Sequence, residues 1–209
     1  SGNVSFYNET EGRSIPPTPT IAMVGVLDDV SRCLAQGLRR AGDVIVLAGR
    51  TREELGGSEY LATIHGTVRG APPWIDLGFE KALQAFVRAA AEEGWLRSAH
   101  DVSEGGMAVA LAECTLASPE RLGARVDLEQ GMRADVLLYG ESQSRIVLTL
   151  DRQGWPRLRD RATRDGIPVE IIGEVGGARF EIGDWIDLAV EDLVAAWEGA
   201  LERALRVVA

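Results

Sequence analysis

Short, β-branched apolar runs alternate along this chain with longer segments whose apolar residues recur at helical spacing. The runs from Ile21 to Leu27 and from Asp43 to Ala48 are bounded by Gly and Asp, which predicts buried strands. The apolar residues between Phe79 and Leu96 recur at about helical spacing, with charged residues between them, which predicts an amphipathic helix. This mixture predicts an α+β (α/β layer) fold, with a mixed β-sheet and helices packed on one face of it.

Weaker patterns predict the other elements of the same fold. Pro and Gly crowd residues 8 to 20, which predicts a linker. The remaining predictions are a short helix from Ser58 to Ile64, an Ala-rich helix over residues 104 to 116, strands at Val136 to Tyr139 and at Arg145 to Leu150, a hairpin formed by Pro168 to Val175 and Arg179 to Ile182, and a terminal helix marked by Leu193, Trp197, Leu201 and Leu205.

Composition excludes several classes of function. With 209 residues, of which 45% are hydrophobic, the chain can bury a substantial core, and one domain is favoured. A formal net charge of -10 argues against a general affinity for nucleic acid or for anionic membranes. The apolar runs are shorter than the roughly 20 residues that a membrane-spanning helix needs. Cys33 and Cys114 show neither metal-binding nor disulfide spacing, which favours a reducing, cytoplasmic location.

Three stretches combine glycines with polar side chains at the ends of predicted elements: residues 55 to 60, 101 to 107 and 140 to 145. In the second stretch, Ser103 is a possible cap for the Ala-rich helix, with Gly105 and Gly106 in its first turn. Glycine costs stability inside a helix, so its presence needs a reason. Either the glycines leave backbone N–H groups open to a phosphate or carboxylate, or they let the helix start pack tightly against a neighbouring strand.

The other two stretches have simpler interpretations. Gly56 and Gly57 before Ser58 predict a structural turn in which Ser58 caps the short helix. Residues 141 to 143 predict either a polar turn or a row of contacts to an amide or ribose. His65 and His100 have no partner at recognised metal spacing and are interpreted as structural.

The opening segment, Ser1 to Glu9, is rich in small and polar residues. Such a segment suits a place where the backbone closely approaches a phosphate or a metal ion. Because the sequence does not start with Met, we expect it to be a piece of a longer protein.

Five stretches together resemble the C-terminal third of one family, phosphoribosylformylglycinamidine synthase, synthetase subunit. They are Ser-Gly-Asn-Val-Ser-Phe-Tyr-Asn-Glu-Thr at 1 to 10, Pro-Thr-Pro-Thr-Ile-Ala-Met-Val-Gly at 17 to 25, Leu-Gly-Gly-Ser-Glu-Tyr at 55 to 60, His-Asp-Val-Ser-Glu-Gly-Gly-Met-Ala-Val-Ala-Leu-Ala-Glu at 100 to 113, and Gly-Glu-Ser-Gln-Ser-Arg at 140 to 145. The family's subunit is similar to two tandem copies of an aminoimidazole-ribonucleotide-synthase-like unit. By this resemblance, residues 1–14 are the tail of the second N-terminal domain and residues 15–209 are the second C-terminal domain.

The resemblance also implies an activity and its cofactors. The family uses ATP and Mg²⁺ to convert formylglycinamide ribonucleotide and glutamine-derived ammonia into the amidine, in purine biosynthesis. By the resemblance, Gly2 contacts ATP, Asn3 helps to ligate Mg²⁺ and Ser5 contacts the ribonucleotide. The catalytic His and most of the Mg²⁺ ligands belong to the first half of the family protein, so this chain alone is expected to be inactive.

A pseudo-equivalent, auxiliary cleft between the second N-terminal and C-terminal domains is implied by the same resemblance, and in relatives it holds a structural nucleotide or nothing. Residues from all three glycine-containing stretches would line it, and we expect these stretches to converge at one sheet edge. They are Gly56, Gly57, Ser58, Asp101, Ser103, Gly105, Gly106, Glu141, Ser142 and Gln143.

The implied partners are the rest of the synthetase chain, a glutaminase subunit and a small accessory subunit. Two alternatives stay open beside the ligase. One is a scaffold or interaction domain whose auxiliary nucleotide cleft is not catalytic. The other is a different ATP-using enzyme of the same superfamily, although such enzymes do not usually show the junction from Gly2 to Pro19.

Overall fold

The computed structural model describes residues 9–14, 21–128 and 131–207. The chain divides into two compact units, and the boundary along the sequence falls between Ser31 and Arg32. The first contains a small hairpin of β1 (Glu9–Thr10) and β2 (Arg13–Ser14), in which Glu9 pairs with Ser14. The domain boundary expected at residue 15 stays a prediction.

The predicted strand from Ile21 to Leu27 is wrong. All seven residues are described, none belongs to a strand, and Val24 is 97% exposed. The apolar pattern identified a segment able to form a strand. Strand formation also needs a neighbouring strand to satisfy the backbone, and none of the described strands pairs with this segment.

The second unit is built on a mixed seven-stranded sheet. Its strands lie in the order β4-β6-β3-β7-β5-β8-β9, and all neighbours are antiparallel except β5 and β8. The strands are β3 (Val44–Ala48), β4 (Ser98–Asp101), β5 (Ala124–Val126), β6 (Ile146–Leu150), β7 (Val169–Val175), β8 (Arg179–Ile182) and β9 (Ile186–Ala189). The α+β class with a mixed sheet is therefore confirmed.

Seven helices accompany the strands in the described residues. Their bounds are α1 (Glu59–His65), α2 (Leu77–Glu92), α3 (Gly106–Leu116), α4 (Ala134–Tyr139), α5 (Trp155–Asp165), α6 (Val190–Glu198) and α7 (Ala200–Val207). In α2, the Asp76 carboxylate accepts the N–H groups of Gly78 and Phe79 and so caps the helix start. No helix within the described ranges is long and apolar enough to span a membrane.

Helices cover both faces of the sheet, which corrects the expectation of one covered face. Ile45 and Leu47 of β3 point into a core with α3, whereas Val44, Val46 and Ala48 point into a second core with α2 and α5. The apolar residues of β3 explain why both faces are covered. They form a continuous run instead of an alternating pattern, and such a run leaves apolar side chains on both faces of the sheet.

Two further predictions are wrong in their pairing or type. β7 and β8 do not form a hairpin, because β5 lies between them and pairs with both. Val136 to Tyr139 is not a strand but most of α4, whose Val136, Leu137 and Leu138 are buried. A run of four apolar residues is too short for periodicity to distinguish a strand from a buried helix.

Candidate functional site

Three glycine-containing turns meet at the carboxylate of Glu141, and we call this place the Glu141 junction. One carboxylate oxygen, Oε1, accepts the N–H of Glu59 at 2.8 Å and the N–H of Gly105 at 2.9 Å. These bonds join residues that lie 82 and 36 positions away along the chain. The stretches at 55 to 60, 101 to 107 and 140 to 145 are therefore held together by one side chain.

The chain's own carboxylate thus takes the donors that an anionic ligand could use. Two backbone N–H groups at the start of α1 and before α3 point to one negatively charged oxygen, which is a favourable arrangement at helix N-termini. The first interpretation of these glycines was that their N–H groups are open to a ligand. In the structure the N–H of Gly105 is already bonded to Glu141, a side chain of the same chain.

The first turn has the capping geometry that the sequence predicts. Ser58 is the N-cap of α1: its hydroxyl accepts from the N–H of Leu61 and donates to the carbonyl of Leu55. Gly56 is required by a close backbone approach, since a Cβ there would lie 2.2 Å from the carbonyl oxygen of Ala71. Gly57 has a φ of 69° and donates its N–H to the backbone carbonyl of Arg69.

The start of α3 differs from the prediction that Ser103 caps it. The N-cap is Gly105, at a φ of 80°, which has no side chain to cap the helix, and its own N–H donates to Glu141. A Cβ on Gly106 would lie 2.7 Å from the carbonyl oxygen of Gly140, so the helix start packs tightly on the loop after α4. Tight packing, the second of the two interpretations, therefore explains Gly106.

Ser103 instead donates a very short hydrogen bond to the carboxylate of Asp101. This bond holds the pKa of Asp101 below its ordinary value. The neighbouring His100 lies between two carboxylates, with its Nδ1 3.4 Å from Asp101 and its Nε2 2.9 Å from Glu113. Within the described residues, no group of three His, Cys, Asp or Glu side chains is arranged to hold a metal ion.

Arg145 stabilises the third turn through hydrogen bonds to its backbone. Its guanidinium is buried and donates to the carbonyl oxygens of Gly140 and Ser142 and to the hydroxyl of Thr51. Burial lowers the pKa of Arg145 to about 10, so the group stays charged near neutral pH. This buried cation fixes the loop that carries Glu141.

Ser142 and Gln143 have different surroundings. Ser142 is buried, and its hydroxyl bonds to both the N–H and the carbonyl of Arg52. Gln143 is exposed and donates its side-chain amide to the carbonyl of Glu141. Ser142 therefore ties two loops together, whereas Gln143 remains accessible.

Sequence reasoning missed the residues that support the junction. Tyr60 and Tyr139 stack with ring centroids 4.8 Å apart, which joins α1 to the end of α4. Arg145 lies in the stretch from 140 to 145, where the sequence pattern predicts only that it begins a strand. Its position directly before an apolar strand is a sequence signal for a buried arginine. A buried charge needs several hydrogen-bond partners, so such an arginine is expected to organise the loops around it. Gly2, Asn3 and Ser5 lie outside the described residues.

The fold and the sequence together define the family. The model of the family described as "AIR synthase related protein, C-terminal domain" matches residues 40–185. The chain belongs to this family.

The most similar relatives confirm the narrower resemblance. The chain is 46% identical over 214 residues to "Phosphoribosylformylglycinamidine synthase subunit PurL" of Anaeromyxobacter dehalogenans, covering 99% of this chain. The PurL subunit of Moorella thermoacetica is 46% identical over 204 residues, covering 96% of the chain. In both cases the chain spans 28% of the relative's length.

Solved structures confirm the fold. "T. maritima PurL complexed with FGAR" superimposes with a TM-score of 0.67 at 23% identity, over 79% of this chain and 30% of that chain. "T. maritima PurL complexed with ATP" gives a TM-score of 0.60 at 22% identity, over 79% of this chain and 28% of that chain. "Structure of PurLQS from Thermotoga maritima" gives 0.59 at 23% identity, over the same two shares.

Proposed function

We propose that this chain forms the C-terminal part of an ATP-dependent ligase that converts formylglycinamide ribonucleotide and glutamine-derived ammonia into formylglycinamidine ribonucleotide. The observation that carries the proposal is 46% identity to a PurL subunit across 99% of the chain. The T. maritima PurL structures with FGAR and with ATP support the substrate and the nucleotide of the proposal.

The proposed chemistry is activation of an amide. The γ-phosphate of ATP passes to the amide oxygen of the substrate and ADP leaves, and ammonia then attacks the activated carbon so that inorganic phosphate leaves. Mg²⁺, when bound, would offset the phosphate charge. In this proposal Gly2 contacts ATP, Asn3 contributes one oxygen to Mg²⁺ and Ser5 contacts the ribonucleotide. Mg²⁺ requires about six oxygen ligands in near-octahedral geometry, so Asn3 needs further ligands from the rest of the synthetase chain.

The proposed setting is a cytoplasmic amidotransferase complex. The solved PurLQS structure of T. maritima supports a glutaminase subunit and a small accessory subunit as partners. By itself the 209-residue chain gives no turnover, because the catalytic His lies in the other part of the synthetase chain.

A transplant tests the ligase proposal. The 209 residues replace the matching segment of the full-length A. dehalogenans PurL, and amidine formation is measured with ribonucleotide, ATP and ammonia. We expect activity within about tenfold of the parent, and Asn3→Ala in the transplant should lower it by about a hundredfold. The M. thermoacetica segment, transplanted in the same way, is the positive control. A folded but inactive transplant beside an active control contradicts the proposal, and so does turnover by the 209-residue chain alone.

We infer a second role, for the Glu141 junction itself: it is a structural element and not a catalytic one. The observation that favours this role is the use of the N–H groups of Glu59 and Gly105 by Glu141. Under this proposal the auxiliary cleft binds no phosphate at these two amides. Hydrogen exchange of the two amides, followed during an ATP titration of the 209-residue chain, tests it. Added protection of both amides by ATP would contradict the structural role.

A further inference from the structure

A cavity of about 250 Å³ lies beside the Glu141 junction and contains none of the predicted site residues except Gln143. We call it the arginine cavity, because two arginines line it together with aromatic and polar side chains. Its principal lining residues are Arg50, Arg52, Trp74, Phe79, Gln143 and Ser144.

Arg52 is oriented by an aromatic ring. Its guanidinium lies over the ring of Trp74, with the central carbon 4.5 Å from the ring centroid. Stacking uses the flat face of a guanidinium and leaves the N–H groups, which lie in its plane, free to donate. The backbone of Trp74 is itself held, since its N–H donates to Glu54 at 3.0 Å. Arg52 is therefore positioned without losing its donors.

The two guanidiniums of the arginine cavity have no ion-pair partner within the described part of the chain. Neither Arg50 nor Arg52 forms a salt bridge there with a described carboxylate. Asp76 also lines the cavity, but one of its oxygens accepts the two N–H groups that begin α2. The carboxylate of Glu54 also lies next to Trp74, whose N–H it accepts, so two carboxylates accompany the two guanidiniums. What Arg50 and Arg52 offer a ligand is therefore their N–H donors and not an excess of positive charge.

Ser144 adds a hydroxyl that has no partner among the described residues. Its Oγ is buried without a hydrogen bond, and its backbone is left-handed, with a φ of 61°. Gly49 explains how Ser144 comes close to Arg50: a Cβ on Gly49 would lie 2.1 Å from the carbonyl oxygen of Ser144. A buried hydroxyl without a partner destabilises the fold, so its presence at a strained backbone position points to a ligand.

We propose that the arginine cavity binds a small phosphate ester. Guanidiniums match phosphate oxygens with two parallel N–H donors, which makes arginine the preferred residue for this group. The exposed amide of Gln143 adds a polar contact for the ester, and the hydroxyl of Ser144, which solvent does not reach where it lies, adds a second once its side chain rotates toward the ester. The cavity volume of about 250 Å³ accommodates one phosphate on a sugar-sized carrier. This site is separate from the two amides that Glu141 occupies, and it does not depend on ligase activity.

Isothermal titration of the 209-residue chain tests the proposal. The probes are ribose 5-phosphate, inorganic phosphate and succinate, at low ionic strength. We expect ribose 5-phosphate to bind at least about tenfold more tightly than succinate, with inorganic phosphate between them. The double variant Arg50→Gln with Arg52→Gln should weaken ribose 5-phosphate by about a hundredfold. Ser144→Ala should weaken it by about fivefold without lowering stability.

The chain provides a matched control for the arginine variant. Arg157 also lies over a tryptophan, Trp95, at 4.5 Å to the ring centroid, but away from this cavity. Arg157→Gln should leave the affinity unchanged, and equal weakening by Arg157→Gln would overturn the proposal. No ribose 5-phosphate binding at millimolar concentration would also overturn it, and succinate binding as tightly as the ester would refute the phosphate class.

Discussion

Two apolar segments of similar composition have opposite surroundings in this protein. β3 is buried at all five positions, between two antiparallel neighbours and two cores. The residues from Ile21 to Leu27 also include three β-branched residues, yet all seven are exposed and none belongs to a strand. The difference shows that an apolar run specifies a capacity for burial, while burial itself depends on which neighbours are available.

The same contrast recurs in single residues of one type. Glu141 and Glu104 both border a glycine, yet only Glu141 has hydrogen bonds to distant amides among the described residues. Cys114 is buried and Cys33 is exposed. Each pair allows one substitution to be made in two environments.

The largest expected difference is between Ile45→Ala and Ile21→Ala. Ile45 is fully buried in the core with α3, so its truncation should cost about 2 to 5 kcal/mol of unfolding free energy. Ile21 is 83% exposed, and its truncation should change stability by less than about 0.5 kcal/mol. Urea unfolding of both variants measures the difference. Similar losses in the two variants would mean that Ile21 is also covered in solution.

Glu141→Ala should have the next largest effect. It removes a carboxylate that accepts two backbone N–H groups, which should cost about 1.5 to 3 kcal/mol. Its amide partners, Glu59 and Gly105, should also exchange hydrogen faster. Glu104→Ala is the control, because Glu104 is exposed, and it should leave both measurements unchanged. Unchanged exchange in Glu141→Ala would show that the three turns are held together without this side chain.

Cys114 should produce the smallest effect, visible as a dependence of stability on pH. Burial raises the pKa of its thiol from 9.0 to about 12. The stabilising contribution is complete below pH 9 and is lost as the pH rises through 12, because only the unfolded chain ionises in this range. Between pH 8 and pH 10 the loss should be about 1 kcal/mol.

Urea unfolding at the two pH values compares the wild type with Cys114→Ala and Cys33→Ala. We expect Cys114→Ala to reduce the loss and Cys33→Ala to leave it intact. Equal rates of iodoacetamide modification at Cys33 and Cys114 in the folded chain would contradict the assigned burial.

Local chemistry made several elements predictable. Ser58 after two glycines specified the start of α1, and the helical spacing from Phe79 specified most of α2. The continuous apolar run of β3 predicts a strand. The same run also indicates burial on both faces, which the prediction of helices on one face did not include. The segment from Val136 to Tyr139 was unpredictable by pattern, because packing against α3 decided between helix and strand.

The candidate sites were also predictable only in part from the sequence. The sequence stretches identified the three turns, and their residues do meet at the Glu141 junction. The arginine cavity was not predictable, since Arg50, Arg52, Trp74 and Ser144 belong to separate segments with no common pattern. Whether either place binds a ligand stays a prediction.

By itself, the sequence determined the family, through the five motif stretches that resemble it. It also determined the α+β class, the strands β3, β6, β7 and β8 and the positions of most of the described helices, because these depend on local propensity and on the spacing of apolar residues. Only the tertiary structure decided which strands pair, which faces are covered and where Glu141 directs its carboxylate. These properties depend on contacts between residues far apart in the chain, and the energy of such contacts is set by distance and burial in the folded state.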